Sequence, residues 1–148
     1  MKTLVKTFAA AALILVSTFA MAADKTVSKS EKVTINLSTA DFALDHYVAV
    51  TTEGESAGVE KLFAEDFTQK IQSTNAQSYG RNAVIQSLKK QKGEKLNCQV
   101  STQIIEESTD YMVAKVTMKF ENFSKTDLVT LVHEENSWKV SSSVNAYK

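Results

Sequence analysis

The sequence predicts an α+β domain in which three N-terminal helices pack on a curved antiparallel sheet. Two observations support this fold class. Apolar residues recur at spacings of three and four up to about residue 88, which is typical of helices that bury one face. From residue 96 onward apolar and polar residues alternate, which is typical of strands with one buried face. We expect the helices to cover that face, because nothing else in the chain can bury it.

The N-terminal segment has the pattern of a secretory signal peptide. Lys2 and Lys6 begin it, and an uncharged apolar run over residues 8–22 ends at Ala20-Met21-Ala22. A small-x-small ending of this kind is what signal peptidase recognises. The apolar core is shorter than the roughly 20 residues that a membrane-spanning helix needs. We therefore expect cleavage after Ala22 and a periplasmic or secreted protein.

The predicted organisation is a signal peptide over residues 1–22, a flexible lead-in over residues 23–37 and one domain over residues 38–148. After cleavage, 15 basic and 17 acidic residues remain, a net charge of −2. This near-neutral balance argues against a nucleic-acid partner and against binding to anionic lipid. The single cysteine, Cys98, excludes an internal disulfide and is expected in a buried strand. An exposed thiol that links two chains is the alternative.

Three helical segments are predicted before the strands. The first begins near Ser38, a capping residue, and ends at Glu53-Gly54. Its apolar stripe consists of Ala40, Ala43, Leu44, Tyr47, Val48 and Thr51. The second, short helix is marked by Val59, Leu62 and Phe63. Residues 66–72 are a candidate strand and residues 73–80 a polar loop. The third helix is marked by Val84, Ile85 and Leu88, followed by lysines and Gly93.

Four strands are predicted from the alternating part of the chain. They cover residues 96–104, 112–120, 128–132 and 138–146. The connections have hairpin lengths, so we expect an antiparallel meander. In the last strand Trp138, Val140, Val144 and Ala146 are assigned to one line of apolar residues. A second line contains Ser141, Ser143, Asn145 and Tyr147.

Several short motifs resemble those of one known superfamily. Residues 45–55, with Tyr47-Val48 and a later Gly-Glu, and residues 59–67, with Leu62-Phe63-Ala64-Glu65-Asp66, resemble the opening of the nuclear transport factor 2-like (cystatin-like cone) superfamily. Residues 80–85 and Trp138-Lys139-Val140 resemble its third helix and its closing strand. The resemblance covers nearly all of residues 38–148. Within the superfamily the chain is most similar to a secreted bacterial branch described as "putative lumazine-binding".

This resemblance implies a cone-shaped domain with an apolar pocket at its wide end. The residues that we expect to line the pocket are Phe42, Tyr47, Met112, Met118 and Trp138. The function predicted on this basis is an exported, non-catalytic domain that binds a small apolar or aromatic molecule or acts as an interaction module. No cofactor and no metal are expected.

Two alternatives stay open at the level of sequence. The first is a lyase or isomerase of the ketosteroid-isomerase-like or polyketide-cyclase-like type. Tyr47 matches the oxyanion-binding tyrosine of the isomerases, but Ile71 stands where they have their catalytic base, so His133 would have to serve as base. His46, beside Tyr47, is predicted at the surface. The second alternative is a homodimeric scaffold that associates through the outer face of the sheet.

Overall fold

The computed structural model describes residues 34–148. The predicted signal peptide and most of the predicted lead-in lie outside the described residues. The helices and strands are α1 Ala40–Thr52, α2 Val59–Leu62, β1 Phe63–Gln72, β2 Gln77–Gly80, α3 Arg81–Lys90, β3 Gln99–Glu107, β4 Tyr111–Lys119, β5 Ser124–Glu134 and β6 Ser137–Tyr147. None of the helices in this part of the chain has the length and apolar character needed to cross a bilayer.

The strands form one six-stranded sheet in the order β2-β1-β6-β5-β4-β3. The predicted meander is present, since β3, β4, β5 and β6 pair antiparallel in succession. The prediction of three N-terminal helices is wrong, because β1 and β2 lie between α2 and α3. β1 runs parallel to β6, and β2 pairs antiparallel with β1. Every residue of β2 is exposed, so its sequence carries no alternation from which a strand could be predicted.

Helix α1 packs its apolar stripe on the middle of the sheet. Its N-cap is Thr39, whose Oγ1 accepts a hydrogen bond from the Phe42 amide at 3.3 Å, so the cap lies one residue after the predicted Ser38. His46 is buried on this helix, and its Nε2 lies 3.0 Å from the Ala57 carbonyl oxygen. The prediction of a surface histidine was therefore wrong: the ring contacts the connection between α1 and α2.

The end of α1 is joined to the connection between α3 and β3. The Leu96 amide donates to the Thr52 carbonyl at 2.7 Å, and the Gly93 amide donates to the Gly54 carbonyl at 2.8 Å. Gly54 has a φ of +67°, and a Cβ atom there would lie 2.5 Å from the Glu94 nitrogen. A residue with a side chain does not fit at this position. The contact holds one wall of the cavity described below.

A bulge in β6 changes which side chains face the core. Leu131 pairs with Val140 whereas Thr130 pairs with Ser142, so Ser141 is an extra residue on this strand. Before the bulge Val140 is buried, and after it Ser143 and Asn145 are buried. One extra residue moves every later side chain to the opposite face. The sequence-based assignment of Val144 and Ala146 to the same face as Val140 is wrong for this reason.

Candidate functional site

A cavity of about 690 Å³ lies between α1, α3 and one end of the sheet. The aromatic residues that line it come from both helical and strand regions: Tyr47, Phe63, Tyr79, Phe120, Phe123 and Tyr147. Among the described lining residues only Lys125 carries a charge at neutral pH. Cavities of this size and apolar character are typical of small-molecule sites.

Exposed aromatic rings stand at one side of the cavity. The Phe120 and Phe123 rings stack with centroids 4.4 Å apart and planes 10° apart, and Tyr147 lies 6.4 Å from Phe123. Phe123 is 46% exposed and Tyr147 is 53% exposed. These three residues, called here the aromatic rim, come from the β4–β5 connection and the end of β6. The exposed rings of Phe123 and Tyr147 are available to contact a planar molecule.

A buried carboxylate, Asp127 of β5, lies behind the cavity wall beside the aromatic rim, because Asp127 pairs with Asn145 and the next pair on this face joins Lys125 to Tyr147. Asp127 is fully buried, and the Tyr47 hydroxyl donates a hydrogen bond to its Oδ2. The Phe63 ring packs edge-on against the Tyr47 ring at 6.2 Å, which shields the pair. A buried carboxylate is stable only when donors satisfy its oxygens.

Two side-chain amides complete this polar group. The orientation of an amide is assigned from its hydrogen-bond partners. The orientation of Asn145 that satisfies both of its ends places Nδ2 at 2.8 Å from Asp127 Oδ1 and at 3.0 Å from Oδ2. Its Oδ1 then accepts from Gln69 Nε2 at 3.3 Å. Gln69 Nε2 also donates to Ser143 Oγ at 3.3 Å. We call Tyr47, Gln69, Asp127, Ser143 and Asn145 the Asp127 network.

Burial dominates the electrostatics of this network. It raises the pKa of Asp127 above its ordinary value, and the hydrogen bond from Tyr47, the charge of Lys125 and the hydrogen bond from Ser143 partly oppose that increase. Burial also raises the pKa of Tyr47 well above its ordinary value, and the neighbouring Asp127 raises it further. Tyr47 is therefore a neutral phenol whose proton points at Asp127.

The elements of the fold explain why these side chains meet. Tyr47 lies on the face of α1 that packs on the sheet, and Asp127 alternates in phase with the buried Val129 and Leu131 of β5. Asn145 reaches the same place only because of the bulge at Ser141. Bulges beside functional sites commonly redirect side chains in this way.

Of the five residues expected to line a pocket, the structure brings only Tyr47 to the cavity. Phe42 is 48% exposed on the far side of α1. Met112 and Met118 are fully buried in β4, because helix α1 covers that strand. Trp138 packs at the opposite end of β6, where its amide donates to the Leu37 carbonyl at 2.8 Å. These four residues belong to the core or the surface, not to the cavity wall.

His133 is not near Tyr47. It is exposed, and its ring lies 5.4 Å from the Trp138 ring. It follows Asp127 by six residues on β5, a separation of about 20 Å along a strand. The structure therefore does not unite Tyr47 and His133 in one site. Within residues 34–148 no group of three or more His, Cys, Asp or Glu side chains is placed to hold a metal ion. Cys98 precedes β3, carries a free thiol and is partly buried against the core.

Sequence reasoning missed Asp127. The sequence predicts the connection between the second and third strands over residues 122–126, with the third strand starting at Leu128, whereas β5 begins at Ser124. One signal was present: Asp127 stands two positions before Val129 and four before Leu131, so it shares their face. A carboxylate in phase with buried apolar residues is a candidate functional group.

With its helices packed on a curved sheet around a cavity, the domain has the fold of the nuclear transport factor 2-like proteins. A protein-family model described as "Putative lumazine-binding" matches residues 36–145. The chain belongs to this family. No curated protein matches the chain.

Solved structures of the same fold come from several bacteria. A nuclear transport factor 2-like protein of unknown function from Silicibacter pomeroyi is 17% identical, with a TM-score of 0.59 over 72% of this chain and 90% of that one. One from Rhodospirillum rubrum, described as of unknown function in nutrient uptake, is 14% identical, with a TM-score of 0.57 over 73% and 97%. One from Cytophaga hutchinsonii is 16% identical, with a TM-score of 0.56 over 73% and 97%. These likenesses concern the fold.

Proposed function

We propose that the chain is an exported, non-catalytic domain that binds one small planar aromatic molecule in the cavity. The observation that carries this proposal is an aromatic rim next to a buried polar network at one cavity of about 690 Å³. Rings can stack on the rim, and polar groups of the adjoining wall can fix the orientation of the ligand. The family description supports a small ligand.

The composition of the wall supports binding over proton transfer. Among the described residues that line the cavity there is no aspartate, glutamate or histidine. Asp127 lies behind the wall with no exposed surface. A general base has to reach the proton that it removes, within about 3 Å or through one water. The isomerase or lyase hypothesis therefore has no carboxylate or imidazole base on the wall of this cavity.

The binding proposal is tested with a cavity-filling variant. Ala83 of α3 lines the cavity and is exposed, so Ala83→Trp places a large ring in the cavity without disturbing the core. Asn82→Trp, on the adjacent exposed position that does not line this cavity, is the matched control. We expect planar aromatic probes to raise the melting temperature of the wild type and of Asn82→Trp, but not of Ala83→Trp. If no planar aromatic probe raises the melting temperature of any of the three proteins, the binding proposal is wrong.

Export is proposed from the N-terminal pattern alone. Mass spectrometry of the protein from the extracytoplasmic fraction of a bacterial host should show a mature chain beginning at Ala23. An intact N-terminus in the cytoplasmic fraction would contradict export and leave the binding proposal untouched.

A homodimer through the outer face of the sheet is a second proposal. Leu128 alternates with the buried Asp127 and Val129, so it points to the outer face, and it is 41% exposed. An exposed leucine in the middle of a central strand is a candidate contact for a second sheet. Sedimentation of the wild type as a dimer and of Leu128→Lys as a monomer would support this. If the wild type sediments as a monomer at the concentration used in the assays, the homodimer proposal is wrong.

A further inference from the structure

Lys125 of β5 lies on the face of the sheet that packs against helix α1. It alternates in phase with Asp127, Val129 and Leu131, which are fully buried, and it is itself half-buried. Lysine is uncommon on the inner face of a central strand, because its ammonium group has to keep a polar partner or water. Since Lys125 lines the cavity, the cavity is where that group can find one.

No carboxylate of the described residues forms an ion pair with Lys125. The basic residues that are paired in this part of the chain are Arg81, Lys89 and Lys139. Within residues 34–148 no carboxylate oxygen lies within 4.0 Å of the Lys125 nitrogen. The ammonium group is therefore available to a negative group that enters the cavity.

Asp127 does not take the place of such a partner. Burial raises the pKa of Asp127, and the charge of Lys125 partly opposes that increase, so the two groups interact at a distance. The Asp127 oxygens are already contacted by Tyr47 and Asn145, and Asp127 has no exposed surface. Lys125 is thus the charge that the cavity presents to a ligand, and its sign attracts an anion.

This charge lies directly beside the aromatic rim. Lys125 pairs with Tyr147 of β6, and residues opposite each other on antiparallel strands have Cβ atoms about 5 Å apart. Phe123 precedes Lys125 by two residues, and Phe120 stacks on Phe123. On β4, Lys125 pairs with the apolar, fully buried Met118. An anionic group that meets Lys125 would therefore place an attached ring against the rim.

The single positive charge limits the kind of anion. Among the described residues that line the cavity there is no arginine, and Lys125 is the only one that is charged at neutral pH. A phosphate ester carries about two negative charges at neutral pH, and one of them would stay uncompensated in mainly apolar surroundings. A carboxylate carries one negative charge, which one ammonium group balances.

We propose that the cavity binds aromatic carboxylates, with the carboxylate paired to Lys125 and the ring against the aromatic rim. The inference rests on the proposed function, because it defines the planar aromatic ligand as a monoanion. The half-buried position of Lys125 favours the pair, since solvent and salt screen it less than an ion pair at an open surface.

Cinnamate and cinnamamide separate charge from shape. Both are planar, carry the same ring and have nearly the same size, but only cinnamate has a negative charge at neutral pH. Titration calorimetry with the wild type should show cinnamate binding about tenfold or more tightly than cinnamamide, because a charge-assisted hydrogen bond is about twice as strong as a neutral one.

Two variants assign this preference to one lysine. Lys125→Met removes the charge and keeps a side chain of similar length, and the ratio of the two affinities should fall to within about threefold. Lys115→Met is the matched control, because Lys115 is exposed on β4, pairs with the outward-facing Leu128 and does not line the cavity. It removes the same charge from the protein, and its ratio should equal that of the wild type. Thermal unfolding verifies that each variant is folded.

The outcomes distinguish this inference from the proposed function. If the wild type binds both compounds equally, or cinnamamide more tightly, the carboxylate inference is wrong, and the cavity can still bind neutral planar molecules. The comparison in the wild type decides this even if Lys125→Met does not fold. If Lys115→Met loses as much of the preference as Lys125→Met, the role given to Lys125 is wrong. If no aromatic probe binds, charged or neutral, both proposals are wrong.

Discussion

The Tyr47 hydroxyl donates a hydrogen bond to the Asp127 carboxylate across 80 positions of sequence. This bond joins the first helix to the middle of the sheet and places a charged group in a core that is otherwise mainly apolar. Because Asp127 is fully buried, the stability of the fold should depend on this hydrogen bond.

Removing the Tyr47 hydroxyl should destabilise the fold. Tyr47→Phe leaves a fully buried Asp127 oxygen without one of its donors, and we expect the free energy of unfolding to fall by about 1–3 kcal/mol. Tyr111 also donates its hydroxyl to a carboxylate, Glu106, but that pair is at the surface. Tyr111→Phe should change the free energy of unfolding by less than about 0.5 kcal/mol. Urea denaturation measures both, and equal effects would contradict the role given to burial.

The pH dependence of stability should carry the sign of a carboxyl whose pKa is raised in the folded state. Between the ordinary pKa of 3.8 and the raised value, the folded protein binds more protons at Asp127 than the unfolded chain does. The stability contributed by this group is therefore complete below the ordinary pKa and is lost as the pH rises through the raised pKa. The slope cannot exceed about 1.4 kcal/mol per pH unit for one proton.

This contribution is measured as a difference between two proteins. Urea denaturation at several pH values gives the free energy of unfolding of the wild type and of Asp127→Asn. The wild-type value minus the Asp127→Asn value should decrease as the pH rises. Glu60 is a control of opposite sign, since its hydrogen bond from Lys89 lowers the pKa of that carboxyl below 4.5. The stability due to Glu60 is present above 4.5 and is lost as the pH falls. If the wild-type value minus the Asp127→Asn value increased with rising pH, the pKa of Asp127 would be lowered in the folded protein instead.

Two glycines with positive φ should respond differently to the same substitution. Gly54 and Gly93 have φ values of +67° and +81°, so alanine costs about 1–2 kcal/mol at either from backbone strain. A Cβ atom at Gly54 also lies 2.5 Å from the Glu94 nitrogen, whereas one at Gly93 meets nothing within 4 Å. Gly54→Ala should therefore be the more destabilising by a further 1–3 kcal/mol or so. Thermal denaturation compares the two, and equal losses would refute the close contact.

The aromatic rim should contribute to ligand affinity. Phe123→Ala removes a 46% exposed ring that stacks on Phe120, and we expect the affinity for a planar ligand to fall about two- to tenfold. Phe42→Ala removes a ring of similar exposure, 48%, on a surface away from the cavity. That control should bind with unchanged affinity. A titration in which both variants lose the same affinity would contradict the rim as a stacking surface.

The helices and strands β4 and β5 could be predicted from the sequence because their burial follows a simple period, whereas every residue of β3 is exposed although its sequence alternates. Val84, Ile85 and Leu88 are buried on α3 as their spacing indicates, and β4 buries alternate residues throughout. Hydrophobic periodicity does not predict a strand, or its buried face, where the buried residues do not alternate. β2 has no buried face, and the extra Ser141 in β6 moves Val144 outward and Asn145 inward.

The site was harder to predict than the fold for a related reason. Tyr47 was identified from the resemblance, and it does reach the cavity. Its partner Asp127 was missed, because a carboxylate next to a predicted loop is ordinarily assigned to the surface, although its phase with Val129 and Leu131 was a signal. Phe42 and Trp138 are expected at the pocket because of their apolar faces, but apolar character does not tell which end of a sheet a residue occupies.

The parallel pairing of β1 with β6 determines when this domain can become complete. Gln69 of β1 and Ser143 of β6 are joined although 74 positions separate them, and among the described residues β2 is attached to the sheet through β1 alone. Contacts between such distant segments form slowly, because a long loop has to close first. Gln69 of β1 and Asn145 and Tyr147 of β6 line the cavity, so the cavity cannot be complete before these two strands pair.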